Sequence, residues 1–299
     1  QDGSGQQKLI SGQKISEFTI SGQGKVAYAG IEEGKDSYQF QRNIGLLELR
    51  TGQKKWLTQG GRNLHPQFSS DGKQIFFSNI PRQAPPGLAN PMVMSQDGQN
   101  QKPVQKPLGE KGPPGGEISP DGRLLLVTNW GSAWGSFSLY DLSSKKELGV
   151  KEKIFEKYQL AGSDQTVFSP DGKKLAAVGV FGEGFRETKL LIIDLTGEDL
   201  PVLADLGEVY TTRQLYGERL PFSQDSQKLV FANSRGLWLY NFSSRQKMKL
   251  ADFGNNPVFA LDDQAVLFER PGEGIWQVRV GGAPKKIIDS GAHPVPIKF

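Results

Sequence analysis

Short apolar runs separated by polar turns recur along this chain, with no sustained 3.6-residue period, so the pattern predicts many short strands and no long helix. The clearest unit is Phe168-Ser169-Pro170-Asp171-Gly172-Lys173-Lys174-Leu175. It reads as a strand ending at Phe168, a tight turn, and a second strand running from Leu175 to Val178. Pro170 presets φ at the second turn position, Asp171 offers an oxygen to nearby backbone N–H groups, and Gly172 accepts the positive φ that closes the turn. Phe68-Ser69-Ser70-Asp71-Gly72-Lys73 and Ile118-Ser119-Pro120-Asp121-Gly122-Arg123 are clear copies. Weaker ones start at Phe222 and Phe259, and a degenerate first copy starts at Ile20.

Each copy opens a unit of four strands, here called a to d. The a strand ends in the turn, and the b strand is an apolar run such as Leu124-Leu125-Leu126-Val127. The c strand alternates, as in Leu237-Trp238-Leu239-Tyr240, and after a polar turn a short d strand such as Lys286-Ile287-Ile288 closes the unit. A period of roughly 40–50 residues is that of propeller blades. The prediction is an all-β, six-bladed β-propeller over residues 12–290, with blades at about 12–59, 60–107, 108–160, 161–205, 206–251 and 252–290. Residues 1–11 and 291–299 are tails or closing strands. If the two ends complete another blade, the count becomes seven.

Composition narrows the function classes. The net charge of +4 comes from interspersed acids and bases, so no basic stripe points to nucleic acid. The absence of cysteine excludes disulfides, thiol catalysis and cysteine metal sites. The chain opens on Gln1, which reads as a trimmed start, and no apolar run approaches the roughly 18 residues of a membrane span.

The tandem Phe-Ser-Pro-Asp-Gly-Lys units, each followed by an apolar strand and a Leu-Tyr-Asp-Leu-like strand, resemble the TolB-type propeller repeats. The resemblance covers about residues 12 to 290 and lacks the smaller α/β domain that precedes the propeller in TolB. It implies a periplasmic or otherwise extracytoplasmic setting. The same repeats also occur in lid domains of prolyl-oligopeptidase relatives and in oligogalacturonate lyases.

Chemistry-bearing motifs are few. Gly131-Ser132-Ala133-Trp134-Gly135 has its serine one place early for a nucleophile elbow and no helix after it. Gly22-Gln23-Gly24-Lys25-Val26-Ala27 opens a strand, so it fails the context of a dinucleotide fingerprint. The repeated aspartates each offer one carboxylate in a separate turn, which fits turn capping better than calcium.

Topology then locates the candidate site. In an antiparallel blade the a–b and c–d turns share one face, and the b–c loops share the other with the d–a connections. The b–c loops are long in blades one to four (about 29–43, 79–91, 129–136 and 179–188) and short in blades five and six. They carry Trp130, Trp134, Phe185 and Arg186, residue types that serve as contact anchors. Residues leading into the a strands, His65, Glu117, Asp164, Glu218, Arg219 and Asn256, are expected around the channel mouth on that face. The leading expectation is a non-enzymatic, monomeric module that binds a protein or peptide there, with no cofactor, metal or nucleic acid. The alternative is a carbohydrate-active lyase or hydrolase. It would use the polar ring as acid and base, with Trp130 and Trp134 as sugar platforms and two carboxylates within roughly 5–9.5 Å.

Overall fold

The computed structural model describes residues 14–21, 23–31, 41–80, 90–104, 117–129, 135–144, 146–182, 187–209, 221–260 and 263–289. These residues form antiparallel sheets whose strands pair in chain order. Blade one is β1 (Lys14–Ile20), β2 (Lys25–Ile31), β3 (Asn43–Glu48) and β4 (Lys54–Trp56). Blade two is β5 (Arg62–Phe68), β6 (Gln74–Ile80), β7 (Asn90–Ser95) and β8 (Lys102–Pro103). Blade three is β9 (Glu117–Ile118), β10 (Leu124–Asn129), β11 (Ser136–Asp141) and β12 (Lys146–Glu147). Blade four is β13 (Gly162–Phe168), β14 (Lys174–Phe181), β15 (Glu187–Asp194) and β16 (Val202–Asp205). Blade five is β17 (Lys228–Asn233), β18 (Gly236–Asn241) and β19 (Gln246–Ala251), and among the described residues Phe222 bridges to Leu229 at the position of the first strand. Blade six is β20 (Asn255–Phe259), β21 (Ala265–Arg270), β22 (Gly274–Arg279) and β23 (Lys285–Ile288). The fold is a six-bladed β-propeller.

The order of strands follows from their composition. The b strands have both faces covered and therefore read as continuous apolar runs: in β14, every residue from Leu175 to Val180 is buried. The outer d strands are short and polar, and β4, β8, β12, β19 and β23 all carry lysine, which discourages pairing with another chain.

The described residues divide into two compact units. One holds blades one to three and the other blades four to six. In the first, Ile75 and Phe77 pack with Ala27 and Ile44 across blades one and two, while Phe76 and Val93 pack with Leu125 and Tyr140 across blades two and three. In the second, Ile192 packs with Phe231 across blades four and five, and Val230 and Leu239 pack with Val266 and Phe268 across blades five and six. Phe231 and Phe268 are fully buried, and truncating such a ring costs about 3–5 kcal/mol.

One departure from the expected all-strand pattern is a single π-helical turn, Lys151–Glu156, which buries Ile154 and Phe155. The expected tails, 1–11 and 291–299, lie outside the described residues.

Candidate functional site

At one end of the blades, the a–b turns repeat a single hydrogen-bonding device. The Ser169 hydroxyl donates to Asp171 Oδ1 at 2.6 Å and accepts the Lys174 N–H at 2.9 Å, and Asp171 Oδ1 accepts the Lys173 N–H at 3.0 Å. The same serine–aspartate pair stands at Ser69–Asp71, Ser119–Asp121 and Ser223–Asp225. Burial opposes ionisation of Asp171, but the bonds from Ser169 and Lys173 outweigh it and hold the carboxyl below the usual range. In Asp225 the serine bond is the largest influence, and its carboxyl is also lowered. The turn aspartates are caps.

The weaker copies differ for a reason. Ser226 and Asp263 occupy the glycine position of the repeat at φ values of 59 and 53°, conformations that non-glycine residues rarely adopt. Each contributes a tie to the preceding blade. Ser226 Oγ accepts the Asp171 N–H at 3.1 Å, and Asp263 Oδ2 accepts the Gln224 N–H at 2.8 Å. Burial raises the Asp263 carboxyl above its ordinary value.

The opposite end carries the b–c connections. In the first unit they span residues 32–42, 81–89 and 130–135; in the second they span 182–186, 234–235 and 271–273. Blade four's strands reach Phe181 and restart at Glu187, so its connection is shorter than the expected 179–188. Trp130, Trp134, Phe185, Arg186, Glu218 and Arg219 lie outside the described residues.

Three of the remaining candidates share one local feature. The register of the a strand shifts between Leu64 and Gln67, between Ser163 and Gln165, and between Asn255 and Val258. His65, Asp164 and Asn256 sit in those bulges, a device that re-aims side chains and often borders functional sites. His65 and Asn256 also have positive φ, 53 and 47°, and each precedes a proline. His65 is exposed and Asp164 half-buried, whereas Asn256 is buried. Glu117 differs: it pairs in register with Leu126, one residue before Ile118, and is not the counterpart of His65.

Around Asn256 the structure assembles polar groups that composition does not reveal. Asn256 Nδ2 donates to Glu269 Oε2 at 2.8 Å, while Asn256 Oδ1 and the neighbouring Asn255 Oδ1 are buried without a hydrogen bond. At the same end of blade six, the Arg270 guanidinium lies 4.1 Å from the Trp276 ring centroid, with Arg270 Nη1 3.7 Å from Glu273 Oε2. In the sequence, Pro271-Gly272-Glu273-Gly274 marks a short loop and carries no sign of that pair.

No family model and no curated protein matches the sequence. Solved structures do. TolB from Acinetobacter baumannii aligns at 20% identity with a TM-score of 0.52, covering 80% of this chain and 55% of that one. The chain thus spans about half the length of TolB. The Cps50 (Swd1) β-propeller domain of Myceliophteria thermophila aligns at 14% identity with a TM-score of 0.58, covering 94% of this chain and 88% of that one. The acylaminoacyl peptidase of Pyrococcus horikoshii aligns at 15% identity with a TM-score of 0.59, covering 93% and 46%. At these identities the likeness is one of fold. The chain is a six-bladed β-propeller similar in fold to TolB and to the propellers of proteins with other activities.

Proposed function

We propose that this chain is a non-catalytic, extracytoplasmic propeller that binds a protein or peptide on its b–c face, chiefly through the loops of blades one to three. The observation that carries this reading is the contrast in connection length. Blades one to three join b to c through residues 32–42, 81–89 and 130–135, whereas blades five and six use the tight turns 234–235 and 271–273. The a–b turns vary by no more than one residue, and in blades two to five the serine–aspartate cap holds them. Long connections on a rigid scaffold are where binding concentrates. Tyr38, Arg82 and Trp134 fall within those connections, and aromatic and arginine side chains dominate interface energetics. The extracytoplasmic setting rests on the TolB-type repeats.

The absence of cysteine makes the test direct. Single cysteines at Arg82 and Trp134, and at Lys173 as the turn-end control, would each carry a photo-crosslinker. The reading expects one discrete protein adduct in extracts of the source cell from the loop positions and none from Lys173. An adduct from Lys173 alone overturns it.

A further inference from the structure

Three blades begin their second strand with lysine, and in each the side chain crosses to the next blade. Lys174 Nζ lies 3.1 Å from the Ser226 carbonyl, 3.6 Å from Asp171 Oδ2 and 5.2 Å from the Phe242 ring centroid. Lys228 Nζ lies 3.3 Å from the Asp263 carbonyl, and Lys25 Nζ lies 2.6 Å from Gln96 Oε1. A carboxylate, a backbone carbonyl and an aromatic ring thus receive one ammonium group in the junction of blades four and five.

The other three blades open their second strand on Gln74, Leu124 and Ala265, and of these Gln74 of blade two is the polar one. Glutamine is shorter and uncharged, and it leaves the junction open. A groove of about 990 Å³ lies there, lined by Asp71, Gln74, Phe76 and Val104 on one side and by Pro120 and Gly122 on the other. The receiving groups remain. Asp71 stands where Asp171 stands in blade four, and Gly122 where Ser226 stands in blade five. Phe76 supplies the ring: a Cβ on Gly122 would come within 3.2 Å of Phe76 Cζ, so the ring abuts that backbone. Asp71 pairs with its own neighbour Lys73 at 3.6 Å, with the two side chains 55% and 76% exposed, a contact that solvent screens to little value.

We propose that the groove between blades two and three is a docking slot for a lysine side chain carried by an extended segment of a partner protein. The ammonium takes the place that Lys174 holds in its own junction, between Asp71 and the Gly122 backbone, with its stem against Phe76. Two carboxylates, Asp71 and Asp121, and one ammonium, Lys102, line the groove, a balance that leaves room for one added cation and selects an isolated lysine over a basic run. The slot lies at the a–b turn end, opposite the b–c face of the function proposed above, so either reading can fail alone.

The test titrates the full, isotope-labelled chain with the peptide acetyl-Gly-Ala-Lys-Ala-Gly-amide. Two controls run beside it: the same peptide with its lysine acetylated, and free 1,5-diaminopentane. The expected result is saturable shifts of the Gln74, Phe76 and Gly122 amides by the lysine peptide, at least roughly tenfold weaker with either control. Gln74→Lys fills the slot from within. It should weaken peptide binding at least roughly tenfold while raising the melting temperature, and Asp71→Asn should weaken binding without that rise. Three results overturn the proposal: no saturable shift up to about 10 mM peptide, equal binding by Gln74→Lys, or diamine binding as tight as the peptide's.

Discussion

Ser226 Oγ accepts the backbone N–H of Asp171 from 3.1 Å away, joining the turns of blades four and five. Ser226 holds a left-handed φ of 59° to do so and is fully buried. Ser226→Ala keeps the unfavourable backbone and loses the bond, so it should cost about 1–3 kcal/mol in urea unfolding. Ser226→Gly relieves the backbone while losing the same bond and should be clearly less destabilising. No loss from Ser226→Ala would show that the bond contributes nothing, and equal losses from the two variants would show that the left-handed φ costs nothing.

Asp263 makes the corresponding tie to Gln224, but as a carboxylate whose ionisation burial opposes. Its folded pKa is raised, so its favourable contribution is complete below the unfolded value near 3.8 and is lost as pH rises through the folded value. Asparagine tolerates the same φ and keeps an acceptor oxygen. Asp263→Asn should therefore flatten that decline, becoming more stable relative to the parent as pH rises from about 4 to 7. Parallel profiles for the two proteins would refute this.

Asp141 titrates in the opposite sense. Burial works against its charge, but bonds from Ser143 and Ser144 prevail and hold it at about 2. Its contribution is present above the unfolded value of 3.8 and lost as pH falls toward about 2. Blade five shows what a neutral replacement does, because Asn241 Oδ1 accepts the N–H groups of Ser243 and Ser244 at 2.9 and 3.1 Å. Asp141→Asn should fold normally at neutral pH and lose the acid-dependent part, whereas Asp141→Ala should cost about 1–2 kcal/mol at pH 7. Melting curves at pH 2.5 and 7 decide it.

His65 keeps a φ of 53° ahead of Pro66 while its side chain is exposed. Glycine takes that backbone without strain, so His65→Gly should hold or raise stability by up to about 1 kcal/mol, and His65→Ala should lower it. On the proposed function, the glycine variant melts normally and binds its partner more weakly. Full binding by that variant would remove His65 from the site.

Much of the architecture was legible because proline, aspartate and glycine recur at fixed offsets before an apolar strand. The turn at Phe168 to Leu175 carries its own explanation in its side chains. What stayed hidden depends on groups meeting across blades or on register. Ser226 and Asp263 read as decay of the motif, since no local pattern shows that a side chain at the glycine position reaches the previous turn. A bulge adds one residue without any compositional mark, so the sequence does not show that His65 sits in a bulge while Glu117 sits in a regular pair with Leu126. The stacking of Arg270 on Trp276 depends on a hairpin register that the short turn does not announce.

Within the unit of blades four to six, the turns are linked in series. Asp171 and Lys174 bond to Ser226, and Gln224 and Lys228 bond to Asp263. In a linear array whose stability is a sum of repeat and neighbour terms, such links raise the coupling energy and penalise a boundary between folded and unfolded repeats. Blade five is tied on both sides, to blade four through Ser226 and to blade six through Gln224 and Lys228. Coupled on both sides, it borrows cooperativity from its neighbours. Its amides in β17 should exchange with solvent in step with those of β14 and β21, as members of one foldon.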